Sequence, residues 1–238
     1  MTIRTPAGLL AAVLAADPAR PLLTFYDDST GERTELSAVT LDNWVSKTAN
    51  LLVDGHGLGH GDVAAVALPP HWQTAAVLLG CWRAGLAVSH SAGEQVDVAF
   101  SSADRFEEQN SPEVYGLSLA PMAMPLRNPP EGVLDYVLEV RNFGDFYGGP
   151  GADPDAPGLV HLPGGAAVTH AGLVERARAR AEELGLTGDD RVLIAAPTRP
   201  LDWLLAPLAA GASIVLCKDA DASKLDARAS SEKVTRAL

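Results

Sequence analysis

Three short stretches of this 238-residue sequence carry residue types that could do chemistry. Thr169 and His170 stand at the start of an apolar-periodic helix, whose first-turn N–H groups could attract an anion, with Arg176, Arg178 and Arg180 further along. A plainer account of the same residues takes precedence: Thr169 is an N-cap, and the arginines form a solvated face pairing with Glu175, Glu182 and Glu183. His56 and His60, in Gly55-His-Gly-Leu-Gly-His-Gly61, have a spacing that would suit a metal on a helix. The glycines oppose a helix and no third ligand is near, so a solvated loop is expected and no metal. Gly116-Leu-Ser118-Leu-Ala120 has the outline of a hydrolase nucleophile elbow, but Pro121 and Pro125 follow where a helix is needed, and a strand edge fits better.

Bulk properties narrow the partners. Lys plus Arg number 18 against 30 Asp plus Glu, and the resulting charge of -12 repels nucleic acid and anionic membrane surfaces. The chain, 47% hydrophobic, is long enough to bury a sizeable core as one large domain or two small lobes. Its apolar opening is broken at Asp17 and Pro18 and shows no basic leader with a cleavage site. With no apolar run near the ~20 residues of a membrane span, a cytoplasmic protein is expected. Cys81 lies in a helical pattern and Cys217 in a strand pattern, which suits buried reduced thiols.

The elements that must hold these residues alternate. Leu22 to Tyr26 and Arg33 to Leu36 flank the turn Asp28-Ser-Thr-Gly31 as a hairpin. Ser37 is placed to cap a helix whose Leu41, Trp44, Val45, Thr48, Leu51 and Leu52 share one face, ending at Gly55 and Gly57. Strand Val63 to Leu68, a helix from His71 to Arg83, and strands Leu86 to Val88 and Val96 to Phe100 follow. Val114 to Leu119 and Val133 to Val140 are strand candidates in a proline-broken middle. A Gly, Pro and Asp-rich connection then leads to strand Leu159 to His161, helix His170 to Leu184, strand Val192 to Ala195, helix Trp203 to Ala210 and strand Ser213 to Leu216. The rhythm predicts an α/β protein with mostly parallel sheets and flanking helices, organised as sub-lobes 1–147 and 159–238 joined by a connection at 148–158.

The run from Gly61-Asp-Val through Leu68-Pro-Pro to Arg83-Ala-Gly85 resembles the acyl-CoA synthetase, luciferase and peptide-synthetase adenylation superfamily of AMP-binding enzymes. Thr169-His170, Gly188-Asp-Asp-Arg-Val-Leu193 and Gly211-Ala-Ser-Ile-Val-Leu216 resemble later pieces of the same family in the same order. The resemblance implies the first half of that family's large domain, running from about residue 5 to about 235.

Departures from the family pattern shape the functional expectation. The family places a Ser/Thr/Gly-rich phosphate loop and Pro-Lys-Gly before Thr-His, whereas here Pro163, Gly164 and Gly165 stand before Thr169 and His170, with Gly164 in the lysine position. A glycine turn offers a few N–H donors and no charge, so this degenerate nucleotide-binding segment is expected to hold magnesium-ATP weakly or not at all. Thr198, Arg199, Asp202 and Trp203 fall where the family lines its acyl pocket, and a small-ligand pocket could survive there. The final Val234 to Leu238 falls where the family continues into adenine-binding, magnesium-linked and lysine-bearing segments. Phosphoryl chemistry needs that charge stabilisation. The expectation is a non-catalytic binding or regulatory relative with no cofactor, forming a homodimer or covered by a protein partner. Alternatives are an acyl or aryl-acid ligase completed by a second chain, which would use ATP and magnesium, and a nucleotide or acyl-adenylate sensor.

Overall fold

The computed structural model describes residues 2–91, 93–161, 166–196 and 199–238. It opens on a helix the periodicity did not reveal, α1 (Pro6–Ala16), whose cap Thr5 accepts the Gly8 N–H at 3.2 Å. The expected hairpin follows as β1 (Pro21–Asp27) and β2 (Glu32–Ser37), and Ser37 caps α2 (Ala38–Asn50) as its position suggests. After a π turn over Leu51–Gly55 come β3 (Val63–Ala67), α3 (Trp72–Arg83), β4 (Ala87–Ser89) and β5 (Val98–Ser102). Gly85 joins α3 to β4 with φ +88, which a side chain would strain.

The middle holds β6 (Val114–Leu117), β7 (Val133–Asp135) and α4 (Tyr136–Val140). The stretch expected as one strand from Val133 to Val140 therefore breaks in two. Asp135 causes the break: its carboxylate accepts the Leu138 N–H at 2.9 Å, an N-cap that starts a helix. The chain continues through β8 (Pro157–Val160), β9 (Val168–Thr169), α5 (His170–Glu183), β10 (Arg191–Ile194), a π turn over Leu201–Leu205, α6 (Ala206–Ala210) and β11 (Ser213–Lys218). It closes with α7 (Leu225–Ser231) and β12 (Arg236–Ala237).

These strands make two sheets, both mostly parallel, with flanking helices. The five-stranded sheet runs β12-β10-β11-β1-β2 and is antiparallel only within the β1–β2 hairpin. The seven-stranded sheet runs β7-β6-β5-β3-β4-β8-β9 and is antiparallel only at β8–β9. Both sheets cross the connection at 148–158. Because β11 pairs with β1, setting Ile214 opposite Leu23, and β8 pairs with β4, setting Leu159 opposite Val88, the expected sub-lobes are interleaved instead of separate.

One hydrophobic cluster joins the two sheets to six helices. It contains Phe25 and Ile214 from one sheet, Val66 and Phe100 from the other, and Leu10, Leu41, Leu78, Val137, Val174 and Leu208 from α1 to α6 in turn. α7 covers the opposite face of the five-stranded sheet, packing Leu225 and Ala229 against Val215 and Cys217. Arg228 pins it there, pairing with Asp28 at 2.7 Å and lying 4.1 Å from the centre of the Tyr26 ring. Both cysteines are free and buried, and burial pushes their thiols up, so neither is a ready nucleophile. Among the described residues no helix is long and apolar enough to cross a membrane.

Candidate functional site

Ligands of open parallel sheets sit beyond the carboxyl ends of the strands, where loops diverge and backbone groups are free. Two pockets that share lining residues open there, and a third, with Asp27, Asp104 and Lys218 in its wall, adjoins the first through Leu68 and Arg105. One, of about 330 Å³, lies past β3 and is walled by Val66, Leu68, Leu78 and Trp203, with Arg105 beside them. The other, of about 300 Å³, lies past β8 among Trp82, Leu159, His161, Leu173, Arg176 and Leu205. His90, Arg199 and Pro200 line both and join them into one crevice.

Local bonds set these side chains in place. The Trp82 indole donates to the Gly158 carbonyl at 2.8 Å, tying α3 to β8 under the second pocket. His90 follows β4 directly and turns back to the Val66 carbonyl, 3.1 Å from its Nδ1. Arg199 pairs with Asp202 at 2.8 Å, and the other Asp202 oxygen accepts from Arg180 at 2.7 Å. Asp202 thus braces Arg199 from behind without lining either pocket. Arg105 pairs with Glu108 at 2.8 Å. Arg176 has no ion-pair or hydrogen-bond partner among the described residues. Trp203 is 1% exposed, and its indole N–H, closed off from the pocket, has no partner among the described residues.

The electrostatics run against the rest of the molecule. In a chain of charge -12, three arginines and two histidines surround this crevice, and no Asp or Glu is among its described lining residues. Apolar walls with a cationic rim suit a small organic anion with an apolar body.

The residues singled out in the sequence fare unequally. Pro163, Gly164, Gly165 and Thr198 lie outside the described residues. Thr169 is the N-cap of α5, accepting the Gly172 N–H at 3.0 Å. His170 cannot serve as a nucleotide contact in this structure, because it is 0% exposed and packed so tightly that a Cβ on Gly158 would sit 3.2 Å from its Cγ. Burial pulls its pKa down to about 4, so the ring is neutral as well as enclosed. Arg199 and Trp203 do line the crevice. Arg180 pairs with Glu183 at 2.9 Å, as a solvated face should, whereas Arg176 turns to the pocket.

Sequence reasoning missed His90, Arg105 and His161. Their common signal was position, since each falls just past the carboxyl end of a strand, or one turn beyond it. The other candidates resolve as structure. His56 bonds the Tyr115 hydroxyl at 2.5 Å, and no group of described residues could hold a metal. The Ser118 hydroxyl donates to the Met124 carbonyl at 2.5 Å, and the chain enters a short turn at Pro121–Ala123 where an elbow needs a helix.

Comparison with known proteins agrees with the fold. The model of the family described as AMP-binding enzyme matches residues 10–91. A TIGR03089 family protein of Mycobacterium tuberculosis is 44% identical over 243 residues, covering 97% of this chain and 96% of that protein. The crystal structure of an acyl-CoA synthetase from Brucella canis superposes with a TM-score of 0.78 at 19% identity, over 98% of this chain and 46% of the other. An anthranilate CoA ligase in complex with anthranoyl-AMP superposes with a TM-score of 0.75 at 15% identity, over 98% of this chain and 49% of the other. At such identities the likeness is one of fold, and this chain spans about half the length of those enzymes.

Proposed function

Because this chain belongs to the TIGR03089 family and begins with an AMP-binding-like portion on an acyl-CoA-synthetase-like fold, we propose that it binds a small acyl-type acid without adenylating it. The observation that carries this reading is the chemistry of the crevice: its cations are the guanidinium groups of Arg105, Arg176 and Arg199, and none of the sequence's four lysines lines either pocket. Lys47 donates to the Phe143 carbonyl, Lys218 pairs with Asp27, Lys224 pairs with Asp28, and Lys233 borders a different depression beside Arg20 and Arg191.

A planar guanidinium matches a carboxylate with two parallel N–H bonds, which suits recognition of an acid head. Magnesium–triphosphate needs more than this. No described carboxylate lines these two pockets to hold a divalent ion, Asp27 and Asp104 lining the third beside Lys218, which argues against tight binding of the metal-bound nucleotide there. Apolar walls at Val66, Leu78, Leu159 and Leu205 would take the hydrocarbon part.

Titration calorimetry with a panel of aliphatic and aromatic carboxylic acids, and separately with magnesium-ATP, tests the reading. An acid should bind and the nucleotide should not. Arg199→Gln should weaken acid binding by about tenfold, the cost of one charge-assisted contact. Pyrophosphate exchange by the purified chain, or micromolar affinity for magnesium-ATP, would overturn the proposal in favour of a working ligase.

A further inference from the structure

α1 contains no polar side chain: its residues are Pro6-Ala-Gly-Leu-Leu-Ala-Ala-Val-Leu-Ala-Ala16. Leu9, Leu10 and Val13 are buried beneath it, yet Ala11, Ala12, Ala15 and Ala16 are exposed. A helix apolar on every side belongs where both sides are covered, and here one side faces water. That side borders a groove of about 400 Å³, continued by Leu208 and Ala209 of α6.

The groove is rimmed by two cations and two anions, Arg20, Arg178, Asp17 and Asp189. They do not pair with one another. Arg20 donates to the carbonyls of Gly211 and Gly188 at 2.9 and 3.0 Å, and Arg178 donates to the carbonyl of Ile3 at 3.1 Å. Asp17 accepts the N–H groups of Ala19 and Arg20, and Asp189 has no partner among the described residues. The side chains therefore present equal and opposite charge, unneutralised, around an apolar floor.

We propose that this groove is the interface of a symmetric homodimer, with α1 of one copy lying against the α1–α6 groove of the other. A twofold interface brings one patch against itself, so its charges must complement their own image. Asp17 and Asp189 of one copy then meet Arg20 and Arg178 of the second, which gives register and orientation. The alanine side chains let the helices approach toward the short end of the 8–10 Å range of helix packing. The patch shares no lining residue with the ligand crevice, so the two readings stand or fall separately.

Sedimentation velocity over a wide concentration range tests the proposal on the whole chain. The unaltered protein should sediment as a dimer. Ala12→Glu, which sets like charges on the exposed face, should raise the dimer dissociation constant by at least about a hundredfold while circular dichroism stays unchanged. Arg178→Glu and Asp189→Arg should each weaken the dimer, and the double variant carrying both should regain it. A monomer at all concentrations would overturn the proposal. A dimer indifferent to Ala12→Glu, or charge variants that fail to rescue each other, would place the interface elsewhere.

Discussion

Gly80→Val is expected to leave the chain largely unfolded. At Gly80, α3 crosses α2 so closely that an added Cβ would lie 2.5 Å from Cβ of Thr48, 2.6 Å from its Cγ2 and 3.3 Å from the Val45 carbonyl. Carbon atoms rest about 3.5–4.0 Å apart, so the overlap is on the order of 1 Å before the valine methyls are counted. Thr48 is not free to yield. Its hydroxyl bonds the Trp44 carbonyl at 2.8 Å and the Tyr136 hydroxyl at 2.7 Å, which links α2 to α4. Overpacking of this kind costs more than the usual ~1–3 kcal/mol, against a whole-domain stability of ~5–15 kcal/mol. Gly59→Ala is the control. A Cβ there meets nothing nearer than the Ala84 carbonyl at 3.7 Å, and its effect should stay within about 0.5 kcal/mol. Urea titration followed by circular dichroism compares the two, and equal midpoints would mean that α2 and α3 do not pack as described.

Acid should destabilise the protein well before its carboxylates protonate, and His170 should be a main cause. Burial holds its folded-state pKa near 4, below the ordinary 6.5, so the unfolded chain binds the proton first. Its contribution is therefore complete above about pH 6.5 and is lost as the pH falls toward 4, where both states become protonated. The gap between about 4 and 6.5 amounts to roughly 3 kcal/mol. Among the described residues neither ring nitrogen makes a hydrogen bond of good geometry, the Gly85 backbone being a weak polar neighbour, so His170→Leu should be tolerated at neutral pH.

His71 is buried too and depressed in the same direction, so the informative quantity is wild type minus variant. Carboxylates act later on the pH scale. Asp28 is held low by its bond from Arg228, and Glu232, whose burial is outweighed by bonds from Tyr26, Arg191 and Arg33, is held down to about 2. Denaturation midpoints between pH 7 and 4 should fall more steeply for the wild type than for His170→Leu. Parallel curves would show that the ring is accessible to protons in the folded state.

Much of the local structure was legible because its causes are local. Ser37 and Thr169 announce their helices, since a hydroxyl next to an apolar period can satisfy the N–H groups of the first turn. α1 escaped notice for the opposite reason. A run with no polar residue has no period to read, and only Thr5 at its head marks it as a helix. Asp135 is a cap in plain view, but Val133 and Val137 on either side of it are β-branched and suit a strand equally well.

By itself the sequence determined the alternation of strands and helices, the caps, the acidic charge, and the order of pieces that mark an adenylate-forming-enzyme-like chain. Tertiary structure alone decided which strands became neighbours, since a strand's own alternation names its faces and not its partner: β11 joins β1, and β8 joins β4. The same holds for the crevice. His90, Arg105, His161, Arg176 and Arg199 are spread over more than a hundred positions of chain, and only the convergence of strand ends brings them together. His170 shows the reverse, a residue that looks chemical in sequence and is enclosed by packing, because Gly158 lets β8 approach α5 closely enough to bury the ring.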